Sequence, residues 1–588
     1  ELSKVAQSID DELADPNRVT ESLDRFSADS RSEASVKERW PVILTMAERA
    51  ARSRLEKASR SLAAAELESG DTWLRWLHDQ QKAQADGSES LALADLDQLS
   101  AKAREAIAVE GRRRGFMDAA DRALADGTAA RFAEAFRAYD QFRTGSLGND
   151  PAIAATYERL RQSLRAQVRF EPSPQPRETA DSVGLLPVEA YTRLSTRTQH
   201  RTVSASVGRP VFARVKDLCF ALDPATGAVR WVLRVGHDAP LPEVIAVAGR
   251  SAVVVPWFRE ADALISLCDA STGETIWSWQ APDLLTGPPA VTRDSLFAAT
   301  RGGSVWQINL EDGVPRGVAE LPEPIDSPPT LREDGKGFSV VGARQAVYLF
   351  DTSGEQPLCS DLVLFGRRPD TAHCQVMWVP PYVVIFENDL MNRCYVHVLF
   401  QESGGLRQVR QLEAPLDGRV WQPPVMDGAD IFVMTDRWKI HCFGLDPGNS
   451  AVNLYQAGSA LKPPPELRQP IRPQLARVTE LPFVALSDAI YGFRVDRSQG
   501  LLREVWNRAL PRPDARAVQP VQAVQNLIVA GFQDLTDDSI LVQCYDSRQG
   551  EAVWETRLAS AARDVAVIGS SSGESQIVVR TEAYGVFV

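Results

Sequence analysis

The sequence predicts an α+β multidomain chain: an N-terminal all-α helical bundle or hairpin array, then an all-β propeller of eight blades. Three observations predict it. Residues 1–170 are rich in helix formers set in apolar stripes. After Val183 the chain turns to Val, Ile, Phe and Leu runs cut by Pro, Gly and Asp, the pattern of short strands. Within that second part an Asp, Gly and Trp pattern recurs about every 45 to 50 residues, the length of one propeller blade.

The helices are taken first. Residues 42–68 read as one helix of Ala, Leu, Arg and Glu. Asp71-Thr72 reads as the cap of a second helix carrying Trp73, Leu74, Trp76 and Leu77. Gly87-Ser88 breaks the pattern, and a third helix carries Leu93, Leu96, Leu99, Ala103 and Ile107 on one stripe. Gly111-Arg-Arg-Arg-Gly115 reads as a basic, solvated helix end rather than a phosphate site. Two short helices, 116–125 and 129–142, flank Gly127, and Asp150-Pro151 starts a last helix running to about Arg169. Short breaks make these helices antiparallel neighbours. No clean tetratricopeptide period is found.

The boundaries expected are a helical domain at 1–170, a Pro-rich linker at 171–184 and the propeller at 185–588. In Glu171-Pro-Ser-Pro-Gln-Pro-Arg177 three alternate prolines favour a stiff extended rod outside any sheet or helix.

The repeat is Asp, three residues, Gly, three residues, Trp. Its copies are Asp223, Gly227 and Trp231; Asp269, Gly273 and Trp277; and Asp546, Gly550 and Trp554. A looser copy is Asp496 and Gly500, with Trp506 two positions late. The Asp can accept backbone N–H groups of a tight turn, the Gly supplies positive φ, and the Trp opens the next strand and packs on a neighbouring sheet. Degenerate copies put further turn glycines at Gly313, Gly354, Gly404 and Gly448, eight in all. Pro-Pro steps at 288–289, 328–329, 380–381 and 423–424 mark a second phase, before the strand that opens a blade.

This pattern resembles the pyrroloquinoline-quinone-like repeat family over residues 185–588. The resemblance implies eight blades of four antiparallel strands. The chain's last runs, 575–579 and 584–588, lack a following outer strand, so strands near the start of the propeller are expected to complete that blade and close the ring.

Composition narrows the function. A formal net charge of -13 argues against a nucleic-acid partner. No window approaches 18 consecutive apolar residues. The sequence starts at Glu1, so an anchoring segment is expected upstream of residue 1. Of seven cysteines, Cys219, Cys268, Cys442 and Cys544 read as buried hydrophobes, and one pair among Cys359, Cys374 and Cys394 could form a disulfide. His373-Cys374 with His397 lacks a diagnostic metal spacing, and Asp534, Asp537 and Asp538 read as a solvated loop. Quinoprotein dehydrogenases of the same resemblance use a disulfide between adjacent cysteines, and this chain has no adjacent pair. No enzyme activity, cofactor or metal is therefore expected. Trp257, Trp378, Trp421 and Trp438 lie outside the repeat phase and are candidate interface anchors. Trp73 and Trp76 are placed in the helical core or where it docks.

The function these readings imply is a protein-binding scaffold or assembly factor of a bacterial envelope, extracytoplasmic and membrane-associated, with other envelope proteins as partners. The alternative is a ligand-sensing ectodomain of a membrane-anchored protein.

Overall fold

The computed structural model describes residues 40–83, 93–140, 150–172, 195–201 and 209–587, the last stretch with short gaps of which 456–473 is the longest. The chain divides into two compact units, Glu1–Gly127 with Glu134–Leu160, and Thr128–Ala133 with Arg161–Val588.

Five helices are described: α1 (Trp40–Ser61), α2 (Ala64–Ala83), α3 (Ala94–Asp126), α4 (Ala129–Asp140) and α5 (Pro151–Arg165). The single helix expected over 42–68 is two. Leu62 adopts φ +55° and reverses the chain between α1 and α2. A Cβ on Gly70 would lie 2.6 Å from Leu55 Cδ2, so this glycine lets α1 and α2 approach closely. Leu44, Ala47, Ala51, Trp73, Leu77 and Leu96 form the core between α1, α2 and α3. Asp71 is not a cap. It sits inside α2, where its carboxylate accepts hydrogen bonds from Ser100 Oγ (2.6 Å) and Arg104 Nη2 (2.7 Å) of α3.

The basic break is also corrected, because α3 runs unbroken through Gly111 and Gly115. Each glycine costs a helix about 1 kcal/mol. The ion pair Glu110–Arg114 (2.9 Å), together with buried Phe116, Ala119 and Ala123, offsets that cost. Arg113 pairs with Asp150 (3.2 Å) rather than pointing to solvent as a helix end. Gly127 ends α3 in the left-handed region, φ +67°. Asp150 caps α5, its Oδ1 accepting the N–H of Ala152 (2.8 Å). Those backbone bonds hold its carboxyl below the usual range. Helix α5 ends at Arg165, not Arg169, and the Gly87-Ser88 break lies outside the described residues.

The second unit is all β after its helical residues. Among the described residues it holds nine antiparallel sheets, at 211–234, 243–281, 290–320, 330–364, 372–417, 425–455, 474–509, 516–558 and 562–587. These are called here the first to ninth sheets. Four strands pair in chain order in the second to seventh. Gly227, Gly273, Gly313, Gly354 and Gly550 each lie in the hairpin before the last chain-order strand of their sheet, as the repeat predicts. Gly404, Gly448 and Gly500 lie outside the described residues. Gly354 differs, lying outside the positive-φ region.

The repeat residues make the joints between sheets. The carboxylate of Asp223 accepts the N–H groups of Ala225 and Thr226, both at 3.0 Å. Asp269 and Asp546 do the same in their turns. Asp496 pairs with Arg503 (2.6 Å), and its turn lies outside the described residues. Each repeat Trp lies on the turn of the following sheet. The indole N–H of Trp231 donates to Ala270 O (3.1 Å), Trp277 to Leu310 O (3.0 Å) and Trp506 to Ser547 O (2.9 Å). Trp506, late in the sequence, thus reaches the equivalent place. Trp554 donates to Pro224 O (2.8 Å), joining the eighth sheet to the first. A Cβ on Gly227, at φ +71°, would lie 2.4 Å from the Trp554 ring. Only glycine serves there on both counts.

Closure also differs from expectation in two ways. Among the described residues, the C-terminal strands Ala562–Gly569, Ser575–Thr581 and Val586–Phe587 pair only with one another. The first sheet has three strands, and side chains cover its open edge. Gln522 Oε1 accepts the N–H of Phe212 (2.9 Å), Gln522 Nε2 donates to Phe212 O (2.6 Å), and Gln519 Oε1 accepts the N–H of Arg214 (3.0 Å). Leu218, Phe220, Val529, Val542 and Trp554 form the core behind that joint.

Two strands from before the sheets add to their edges. Arg169–Pro172 pairs with Gly317–Glu320 of the third sheet, and Ser195–Gln199 pairs with Trp554–Leu558 of the eighth. The linker expected at 171–184 therefore starts inside a sheet. Pro172 is tolerated because it ends an edge strand, where its missing N–H costs no ladder bond. Three Pro-Pro steps precede the first strand of a sheet as expected. Pro380-Pro381 instead turns between the first and second strands of the fifth sheet. All seven cysteines are buried free thiols, so Cys359, Cys374 and Cys394 make no bridge.

Candidate interaction surface

In an antiparallel meander, successive connections alternate between the two ends of the sheet. The Asp-Gly turns share one end. The hairpins between second and third strands share the other, along with the connections from sheet to sheet. On this second end two of the three most exposed large apolar side chains among the described residues stand together: Leu390 is 63% and Met391 74% exposed. They occupy the tip between Tyr382–Asp389 and Arg393–Glu402 of the fifth sheet.

The tip is held from beneath. Asp389 Oδ1 accepts the N–H groups of Met391 (2.8 Å) and Arg393 (2.9 Å). Asn392, at φ +57°, closes the turn and accepts the N–H of Gly418 (2.9 Å). Arg419 Nε donates to Asp389 O (2.9 Å). The connection to the sixth sheet is tied on both sides. Buried Asn388 exchanges two hydrogen bonds with Val420, at 2.7 and 2.8 Å. Asp436 accepts from the N–H of Arg419 (2.8 Å) and from Trp421 Nε1 (3.2 Å). The Arg419 guanidinium lies 5.6 Å from the centre of the Trp421 ring, a cation–π contact. Beside it Lys439 pairs with Asp417 (2.6 Å) and holds that carboxyl below its usual range.

The result is a preorganised patch: two exposed apolar side chains on a short turn, with Arg and Trp alongside. Arg and aromatic residues are enriched where proteins bind proteins, and a fixed surface loses little entropy on binding.

The aromatic anchors proposed from sequence separate. Trp421 is half-buried and belongs to the patch. Trp378 is core, donating to Ser339 Oγ at 3.3 Å inside the fourth and fifth sheets. Trp257 packs against the core shared by the first and second sheets, and Trp438 lies outside the described residues. Trp73 and Trp76 are both buried on α2, rings 6.2 Å apart. Sequence reasoning passed over Leu390 and Met391. The available signal was an apolar pair between two turn formers, Asp389 and Asn392, between two strand runs.

The chemical clusters weighed from sequence are not sites. His397 is buried and pairs with Glu387 at 2.8 Å. Among the described residues no three His, Cys, Asp or Glu converge as metal ligands, and no helix is long and apolar enough to cross a membrane. The Asp534–Asp538 loop lies outside the described residues.

Comparison with known proteins agrees with the repeat reading over part of the chain. Among solved structures, BamB of Moraxella catarrhalis is 15% identical, covering 58% of this chain and 94% of its own, with a TM-score of 0.38. Sqt1 of Chaetomium thermophilum is 15% identical, covering 60% and 96%, with a TM-score of 0.40. A second Sqt1 structure, bound to the N-terminus of ribosomal protein L10, covers 57% and 92% at 15% identity and a TM-score of 0.38. No curated protein matches. A family model described as outer membrane protein assembly factor BamB matches residues 193–355, so the pyrroloquinoline-quinone-like resemblance holds for the stretch that carries the first two Asp-Gly-Trp copies.

Proposed function

We propose that this chain is a protein-binding scaffold of a bacterial envelope, and that the Leu390–Met391 patch is one of its contact surfaces. The single observation that carries the reading is the patch itself. Exposed leucine and methionine cost solubility, yet here seven hydrogen bonds are arranged to hold them out. The interlocked sheets supply a stiff platform beneath. The envelope placement and the assembly role draw support from the description of the matched family alone. Membrane association through a segment upstream of residue 1 belongs to the same proposal.

The test is capture of envelope proteins from a native membrane extract by the full chain and by a Leu390→Asp/Met391→Asp variant. Both positions are exposed, so the fold should hold and Tm should match. Retention should fall at least about tenfold, the size expected for apolar anchors. Equal retention by the two baits would remove the patch from the reading.

A ligand-sensing reading has one observation in its favour, a cleft of about 640 Å³ between the third and fourth sheets. Phe170, Arg293, Gln307 and Arg316 line it. Its size suits a small ligand. Isothermal titration with extracted small molecules would decide whether it is used.

A further inference from the structure

We propose that the edge Trp277–Ala281 of the second sheet is a docking site for an extended segment of a partner protein, which adds there as an antiparallel strand. This rests on the scaffold reading and supplies a second, different mode of contact.

The molecule already makes this interaction with itself, twice. In the third sheet the last hairpin carries a bulge at Arg316, and the added strand Arg169–Pro172 pairs with the four residues past it, Gly317–Glu320. In the eighth sheet the bulge falls at Val553, and Ser195–Gln199 pairs with the five residues past it, Trp554–Leu558. The second sheet has the same device. Its bulge falls at Ile276, and Trp277–Ala281 follow in the equivalent register. Among the described residues no added strand lies there, and none is a partner to the outward backbone groups of this edge. Unpaired N–H and C=O groups in a row are a template for a further strand.

This edge is also unprotected. Native edges are blunted by charge, above all by lysine and arginine. The last strand of the first sheet carries Arg230 and Arg234, that of the fifth Arg407 and Arg410, and that of the seventh Arg503, Glu504 and Arg508. In the fourth, Asp361 is held by Arg161. Thr275-Ile-Trp-Ser-Trp-Gln-Ala281 has no charge at all, and Ile276 is 50% exposed. The strand of the sixth sheet, Val452–Tyr455, is also uncharged but has only four residues.

The two internal strands indicate what fits. On the third sheet Phe170 lies opposite Ala319 and covers Gly317. The same two places on the second sheet are Trp277 and Trp279, which fill that space themselves. Against the eighth sheet, where Trp554 holds the first place, the added strand is Ser-Thr-Arg-Thr-Gln. The occupant of the second sheet is therefore a Ser- and Thr-rich extended segment without proline, with no large residue facing Trp279.

The probe is a capped synthetic peptide of residues 194–200 with Arg197→Ser, Leu-Ser-Thr-Ser-Thr-Gln-His, because Arg197 lies opposite Thr556 and would face Trp279 in the equivalent register. Hydrogen exchange of the full chain is followed by mass spectrometry. At ten times the dissociation constant, outward amides within 277–281 should exchange about tenfold more slowly. A peptide with the same side chains but alternate N-methyl amides, and an Ile276→Lys/Gln280→Lys variant of unchanged Tm, should each abolish the protection. Unchanged exchange over 277–281, or equal protection by the N-methylated peptide, overturns the proposal. The Leu390→Asp/Met391→Asp variant should bind the peptide normally. Loss of strand binding with patch capture intact sinks the edge alone, and the reverse sinks the patch alone.

Discussion

At the scale of single residues, one buried acid departs from ordinary chemistry. Glu323 lies between Pro322 and Pro324 and is almost fully buried. Its Oε1 accepts from Tyr348 OH (2.9 Å) and its Oε2 from the N–H of Arg344 (2.7 Å). Gly342 makes the room, since a Cβ there would lie 2.4 Å from the carboxyl carbon. Burial pushes this carboxyl up to about 7, and the two hydrogen bonds only partly oppose it. In the unfolded chain the same group titrates near 4.3, so the folded state binds its proton more tightly. Its stabilising contribution is complete below about pH 4.3 and is lost as pH rises through 7. The loss is on the order of 3 kcal/mol. A Glu323→Gln variant should show a flatter stability profile than the parent between pH 4.5 and 7.5 in denaturant titrations. Parallel profiles would mean that Glu323 is ionised at both ends.

At the scale of elements, what the sequence discloses depends on whether an element has its own chemistry. The Asp-Gly-Trp hairpins were legible because Asp223, Gly227 and Trp231 each answer a separate need of the turn and the joint. The N-terminus of α5 was legible because Asp150-Pro151 is a specific start. Helix α3 was misread because glycine signals an end only when nothing else holds the helix, and Glu110–Arg114 and Phe116 hold this one. The strand Arg169–Pro172 was hidden by its proline, which an edge tolerates. The patch was hidden because exposure of Leu390 and Met391 is a tertiary fact. The edge of the first sheet was beyond reach for the same reason, since nothing local to Phe212 or Arg214 announces Gln519 and Gln522. That edge yields a prediction. A Gln522→Leu change keeps the bulk but leaves the N–H of Phe212 without a partner and its C=O with only the longer bond from Gln519 Nε2 (3.5 Å). The expected cost is about 1 to 3 kcal/mol, read as a lower denaturation midpoint. Exchange of the 211–215 amides should rise with it, and a change in midpoint without that rise would point to packing instead.

For the second unit as a whole, the consequence of the repeat is that one chemical joint does two jobs. Trp277 ties the second sheet to the third, its neighbour in the chain. Trp554 makes the same indole-to-carbonyl bond and the same ring-on-glycine contact, but it ties the eighth sheet back to the first. Both side chains are buried, so truncation of either to Ala should cost about 3 to 5 kcal/mol. The two losses should spread differently. Without Trp277 the second and third sheets remain connected by the chain between them. Without Trp554 the tie from the first sheet to the eighth falls to the glutamine bonds, the Thr556 Oγ1 bond to Gly227 O (2.8 Å) and the apolar core behind them. Among the described residues the first sheet has three strands where the second has four, so Trp554→Ala should release residues 211–234 as a locally unfolding unit. Hydrogen exchange below the unfolding midpoint should show those amides opening well before 290–320 in Trp554→Ala, and no such separation in Trp277→Ala. If both variants open the same segments together, Trp554 is one more packing residue and the sheets at the two ends are held by something other than this joint.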